Sequence, residues 1–235
     1  LQGLNDGLAF LDITDPQKVI YLGKLLSSSN PSDWRDVKIY NNHAFVVSEA
    51  SNHGLQVFNL KRLLDLNEFK MFNEDYIVND FGNAHNIAIN TSSGFAYILG
   101  SALYEGGPVF YDISIPEQPI LRGGFSDTSY IHDAQIITYK GEDQNYFGKE
   151  ILLGSNSDGG ETNQLIILDV TEKTNPELIS TISYSYGGYT HQGWIDESHR
   201  YFYLGDELDE LRYGNKTRII SFDLKDLKNP KIHFV

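Results

Sequence analysis

Apolar residues in this chain come in short runs, each closed by polar or turn-forming residues, and almost none follows the 3.6-residue period of a helix. Runs rich in Ile, Val, Phe and Tyr and bounded by Gly, Asn, Asp and Pro predict β-strands. The segments Gly7–Ile13, Gly54–Leu60, Gly107–Ile113, Gln164–Val170 and Arg218–Leu224 share one pattern, an apolar run ending in Asp or Asn and one more aliphatic residue. Their marker residues Asp12, Asn59, Asp112, Asp169 and Asp223 lie 47, 53, 57 and 54 positions apart. Turn residues and a proline (Pro16, Pro116, Pro176, Pro230) follow four of the five. A second register alternates with the first: Trp34–Tyr40, Ala84–Asn90, Ile131–Ile137 and Thr190–Asp196. Each leads through polar residues into a third apolar run, Ala44–Val47, Phe95–Leu99, Ile151–Leu153 or Tyr201–Leu204. One unit therefore reads strand, turn, strand, loop, strand, proline turn, and a short fourth strand such as Ile20–Gly23 or Glu177–Ser180.

Four antiparallel strands in about 50 residues describe a β-propeller blade. The expected fold is all-β, a single propeller domain over residues 1–235 with blade-end strands near 7–13, 54–60, 107–113, 164–170 and 218–224. Four units are complete, which predicts part of a larger ring of about six or seven blades; a four-bladed ring closed by the terminal strands is the alternative. A β-sandwich would hold many short strands without repeating such a pattern. The one helical candidate is an insertion over Leu60–Phe72, with leucines at 60, 63, 64 and 66.

Charge and composition narrow the function. With 18 Lys+Arg against 32 Asp+Glu, the net charge of −14 disfavours nucleic acid and anionic membranes and favours cations or basic partners. The absence of cysteine excludes disulfides, thiolate catalysis and cysteine-bound metals. No stretch approaches the roughly 18 apolar residues a spanning helix needs. The opening at Leu1, without Met or a leader, reads as a mature fragment. Two sequons, at Asn90 and Asn215, carry little weight. No motif for a nucleotide, flavin, haem or nucleophilic serine is present.

The runs Trp34–Lys38, Gly82–Ile87, His132–Gln135, Thr190–Trp194 and Asp206–Glu210 resemble the choice-of-anchor B proteins, built of LVIVD-type repeats, over nearly the whole chain. The resemblance implies an exported propeller held at a bacterial cell surface by a C-terminal anchor, with a further blade after Val235. A protein or polysaccharide partner at that surface follows from the same likeness. It lends no biochemical activity.

Aligned on the second register, one position holds Arg35, His85, His132 and His191, and the next holds Asp36, Asn86, Asp133 and Gln192. In a propeller the first strand of each blade lines the central channel, so the three histidines are expected to converge. Hairpin geometry puts the second-strand ends, with Glu49, Asp206 and Glu207, on the same face. Imidazoles and carboxylates together suit a divalent metal such as Zn, Fe, Cu or Ni. The expected metal set is His85, His132 and His191, with Asp133, Asp206, Glu207 and Glu49 nearby. The alternation of strand side chains lets only one of the two adjacent rings face the channel, and the histidines are the choice. Arg35, with Asp36, would hold an anionic substrate, or Arg35 would pair with Glu49. The competing expectation is structural, with the imidazoles bonded to backbone carbonyls between blades.

Asp206–Glu210 and the oxygen-rich loop 155–162 are expected to be solvated loops before calcium sites. His43, His53, His199 and His233 are expected at the surface. Two functions remain open: an exported binding or scaffold module, and a metal-dependent hydrolase, lyase or oxidoreductase with Glu207 as general base.

Overall fold

The computed structural model describes residues 1–64, 66–157 and 162–235. Strands dominate, gathered into five four-stranded sheets. The second sheet holds Arg35–Tyr40, His43–Ser48, Leu55–Asn59 and Tyr76–Val78, the third Asn86–Asn90, Phe95–Leu99, Val109–Asp112 and Ile120–Gly124. The fourth holds Ile131–Thr138, Glu150–Ser157, Asn163–Asp169 and Glu177–Ser183, and the fifth Thr190–Ile195, Tyr201–Asp206, Ile219–Asp223 and Lys231–Phe234. Within each of these four sheets the strands lie side by side in chain order, as expected. A run of such sheets is consistent with a β-propeller-like fold.

The repeated marker has a simple physical origin. Asp12, Asn59, Asp112, Asp169 and Asp223 each accept the backbone N–H two residues on, at 2.9–3.1 Å, from Thr14, Lys61, Ser114, Thr171 and Lys225. A short polar side chain bonding its own backbone in this way imitates a turn and stops the strand. After four markers a second turn follows, closed by the N–H of Lys18, Gln118, Asn175 or Asn229 on the carbonyl three residues back. The repeated glycine also has a cause: a Cβ on Gly54 (φ +70°) or Gly107 would strike the carbonyl oxygen of Val78 or Phe125, so the backbones close only around a hydrogen.

The first sheet departs from the pattern. Gln2–Leu4, Gly7–Asp12 and Ile20–Leu26 pair antiparallel, and Lys70–Phe72 then adds parallel to Ile20–Leu26. The helix expected over Leu60–Phe72 is thus corrected: only Leu60–Leu63 forms a 3-10 turn, capped by the Asn59 side chain, and the segment's end is a strand. Leu60, Leu63 and Leu66 are spent on the sheet core, and Phe72 is buried among Phe10 and Phe58. Gly23 admits the added strand, since a Cβ there would meet the Lys70 carbonyl and the Phe72 ring.

The chain divides into two compact units, residues 1–103 with 111–121, and 104–110 with 122–235. In the first, Leu8, Phe10 and Leu25 pack on Ala44, Val46 and Phe58, with the Phe10 and Phe58 rings stacked at 4.7 Å. In the second, Ile151, Leu153, Leu165 and Ile167 of the fourth sheet pack on Phe202, Leu204, Ile220 and Phe222 of the fifth. Among the described residues, no helix is long and apolar enough to cross a membrane.

Candidate functional site

In the second unit, the fourth and fifth sheets begin with the same irregularity. The ladder register shifts between Ile131 and Asp133 and again between Thr190 and Gln192, so His132 and His191 are each the extra residue of a β-bulge. A bulge re-aims a side chain at a strand end, so strict alternation does not govern either histidine. The two rings lie 4.4 Å apart, and His132 Nδ1 is 2.9 Å from the backbone carbonyl of His191. That bond fixes the proton on Nδ1, since a carbonyl can only accept. His132 is buried, with Tyr189 edge-on at 5.3 Å, whereas His191 is half-buried and its Nε2 lies 3.7 Å from Glu207 Oε2. The bond from His132 to a carbonyl is one that the structural alternative expects, and it equally orients an imidazole that ligates a metal.

Asp206 is not part of an open ligand set. Its Oδ1 accepts the N–H groups of Tyr189, Leu208 and Asp209 at 2.8–2.9 Å. Its Oδ2 accepts Gly188 N–H at 2.8 Å and the Tyr184 hydroxyl at 2.6 Å. Burial alone would raise its pKa, but these bonds outweigh burial and hold the carboxyl below the usual carboxylate range. Burial and the adjacent carboxylate push the Tyr184 hydroxyl well above its ordinary value. Asp209 is likewise buried and paired with Arg218 at 2.6 Å, and the Arg218 guanidinium also reaches the carbonyls of Ser185 and Tyr186. Asp206 and Asp209 therefore form a knot that fixes loop 184–190, while Glu207 and Glu210 of the same run stay exposed as expected. Of the loop at 155–162, residues 158–161 lie outside the described residues.

In the first unit the equivalent strand start is closed. Arg35 donates to the Leu4 carbonyl at 3.1 Å, to Ser27 Oγ at 3.0 Å and to the Asn5 carbonyl at 3.4 Å, and its Nη1 lies 2.5 Å from His53 Nε2. The guanidinium can only donate, so His53 Nε2 accepts and its Nδ1 carries the proton given to the Gly54 carbonyl at 2.9 Å. Burial, with Arg35 beside it, lowers the His53 pKa to about 4. His53 is fully buried and His43 nearly so, bonded to Asn41 and Glu117, which corrects the surface expectation for both. Glu49, proposed as a partner for Arg35, instead meets His85 Nδ1 at 2.6 Å. Asp36 holds Lys38 at 2.5 Å and accepts Ile87 N–H at 3.2 Å, which ties the second sheet to the third.

No protein-family model matches the chain, and no curated protein does. Solved structures do. A crystal structure of a protein from Lactobacillus plantarum is similar over 95% of this chain, with a TM-score of 0.59 and 12% identity. This chain spans 60% of that protein's length. Likeness at that identity concerns the fold.

Among the described residues, no group of three or more His, Asp or Glu side chains is arranged to hold a metal ion. A site of this kind needs three or four donors on one centre. Of the expected set, Asp206 is committed to five donors, whereas the bond from His132 Nδ1 to a carbonyl is one that metal-ligating histidines also make and so argues neither way. Asp133 accepts the Ala134 N–H at 2.7 Å and, with Gln192, borders a shallow pocket walled by Trp194, Tyr203 and Ile219. Sequence reasoning gave Asp206 a site role; the glycine and tyrosine of Tyr186–Tyr189 beside a strand-end aspartate were the available sign of a loop anchor.

Proposed function

We propose that the chain is a binding or scaffold module of a propeller-like protein, its five sheets being successive blades of a ring of about six or seven. The resemblance to choice-of-anchor B proteins supports display at a cell surface, where the partner would be a protein or a polysaccharide. The observation that carries the binding reading is the strand-end site of the second unit. There His191 and Glu207, both partly exposed, stand on a rigid floor of buried His132 and the Asp206 knot. A polar donor and an acceptor held on fixed backbone suit recognition of hydroxyl or amide groups.

The test is binding of the wild type and of His191→Ala to a panel of immobilised polysaccharides and glycans, with elemental analysis of both proteins. Binding lost in the variant at unchanged thermal stability supports the proposal. Equal binding by both proteins places recognition elsewhere, and binding by neither overturns the polysaccharide partner. Near-stoichiometric Zn, Fe, Cu, Mn or Ni lost in the variant would instead favour the metal-dependent enzyme, with Glu207 as its general base.

A further inference from the structure

One residue before the position shared by Arg35, His85, His132 and His191, the third, fourth and fifth sheets carry Ala84, Ile131 and Thr190, each 0% exposed. The second sheet carries Trp34 there, and it is 57% exposed. A large aromatic side chain is thus held in water where the other repeats bury theirs. The second sheet has a neighbour on either side within the first unit: Arg35 donates to the carbonyl of Leu4 in the first sheet, and Asp36 accepts the N–H of Ile87 in the third.

The backbone places Trp34 beside polar groups. Strand pairing runs from Arg35 to Ser48, and one step further the N–H of Glu49 donates to the Trp34 carbonyl at 3.2 Å, so Trp34 and Glu49 are directly opposed. Opposed residues share one face of a sheet, with Cβ atoms about 5 Å apart. Asp36, two residues along, shares that face, which is the one turned to the third sheet. There the His85 Nδ1–H donates to Glu49 Oε1 at 2.6 Å, and Asn83 Nδ2 donates to the Glu49 carbonyl at 3.4 Å. The partly exposed carboxylate spends Oε1 on that bond and can accept others at Oε2.

A flat indole in water, next to a carboxylate whose orientation an imidazole fixes, suits a pyranose ring. The C–H face of the sugar covers the indole, and its hydroxyls donate to the carboxylate. Charge narrows the ligand further. The net charge of −14 and Glu49 itself repel acidic sugars, and one indole beside an already engaged carboxylate is not the many-walled aromatic cage that holds an alkylammonium group.

We propose that Trp34, Glu49 and His85 form a binding site in the first unit for an uncharged hexose residue of a glycan. The site is independent of the His191–Glu207 reading, which concerns the second unit.

Trp34 and Trp194 are the two tryptophans of the chain, so in Trp194→Phe the indole fluorescence reports on Trp34 alone. Titration of that protein with short neutral gluco-, manno- and galacto-oligosaccharides should give a saturable change in emission with at least one of them. Calorimetry with the same oligosaccharide should show binding weakened about tenfold in Trp34→Ala, the loss of one stacked aromatic contact, and largely kept in Trp34→Tyr. Circular dichroism checks that each variant folds, and Glu49→Gln should also bind more weakly. His191→Ala should bind as the wild type does. No saturable change with any of the three series overturns the proposal, as does equal binding by the wild type and Trp34→Ala. Binding lost in His191→Ala and kept in Trp34→Ala overturns it while upholding the site of the second unit. Binding confined to chitosan oligomers, whose amino groups are cationic, overturns the ligand class.

Discussion

Arg35 and His132 occupy the same place in their repeats, the start of the first strand of a sheet, and the two units use it differently. In the first unit the loop around Leu4 and Asn5 and the segment at Ser27 reach the guanidinium, and a neutral histidine fills its remaining side. In the second unit the bulged histidines lie against each other with their rings tilted by 35°, and the charge lies on Asp206, whose five donors come from the loops at 184–190 and 207–209. Both slots thus serve carbonyl oxygens, one through a guanidinium and the other through an imidazole N–H, and what differs is that the second unit adds a separate carboxylate, Asp206, to collect N–H groups.

That contrast can be broken from either side. The largest effect is expected for Asp206→Asn, which turns an amide NH2 toward the donors Gly188 N–H and Tyr184 O–H. Leaving these unsatisfied should cost about 3–4 kcal/mol in urea unfolding. The carboxylate's own contribution is present above the ordinary Asp pKa and is lost as pH falls through its depressed folded value.

Next comes His53. Its folded pKa of about 4 lies below the ordinary 6.5, so the unfolded chain takes up the proton first. Stability should be complete above pH 6.5 and fall by about 3 kcal/mol as pH drops to 4. His53→Gln should flatten that slope in urea midpoints measured against pH; an unchanged slope would place the acid sensitivity elsewhere.

Arg35→Met leaves the Leu4 and Asn5 carbonyls to water and should cost about 2 kcal/mol by chemical denaturation, with little change at the second unit. The smallest effect is expected for Glu49→Gln. Its bond to His85 is partly exposed, so a thermal melt should register a loss of only about 0.5 kcal/mol. A loss as large as that of Arg35→Met would make the His85–Glu49 pair a second latch of the first unit.

Much of the fold was legible because the repeat is written in turn chemistry. Asp12, Asn59, Asp112, Asp169 and Asp223 each make the same bond to the backbone two residues on, a local event that needs no tertiary context. The helix expected at Leu60–Phe72 failed because leucine spacing says which residues are apolar together, and here a sheet, not a helix face, collected them. At the candidate site, the recurrence of Arg35, His85, His132 and His191 at one repeat position was readable. The bulges that re-aim His132 and His191 were not, since an extra residue in a ladder is defined by the partner strand.

The sequence by itself determined most of the strands, their order in the second to fifth sheets and the turns that end them, because short apolar runs bounded by turn residues and side-chain-to-backbone bonds act over a few residues. Tertiary structure alone decided that His53 is buried and neutral, that Asp206 is a loop anchor, and that Glu49 meets His85. Each of these depends on which distant segment arrives beside the residue, and on whether it brings a carbonyl, an N–H group or an apolar face.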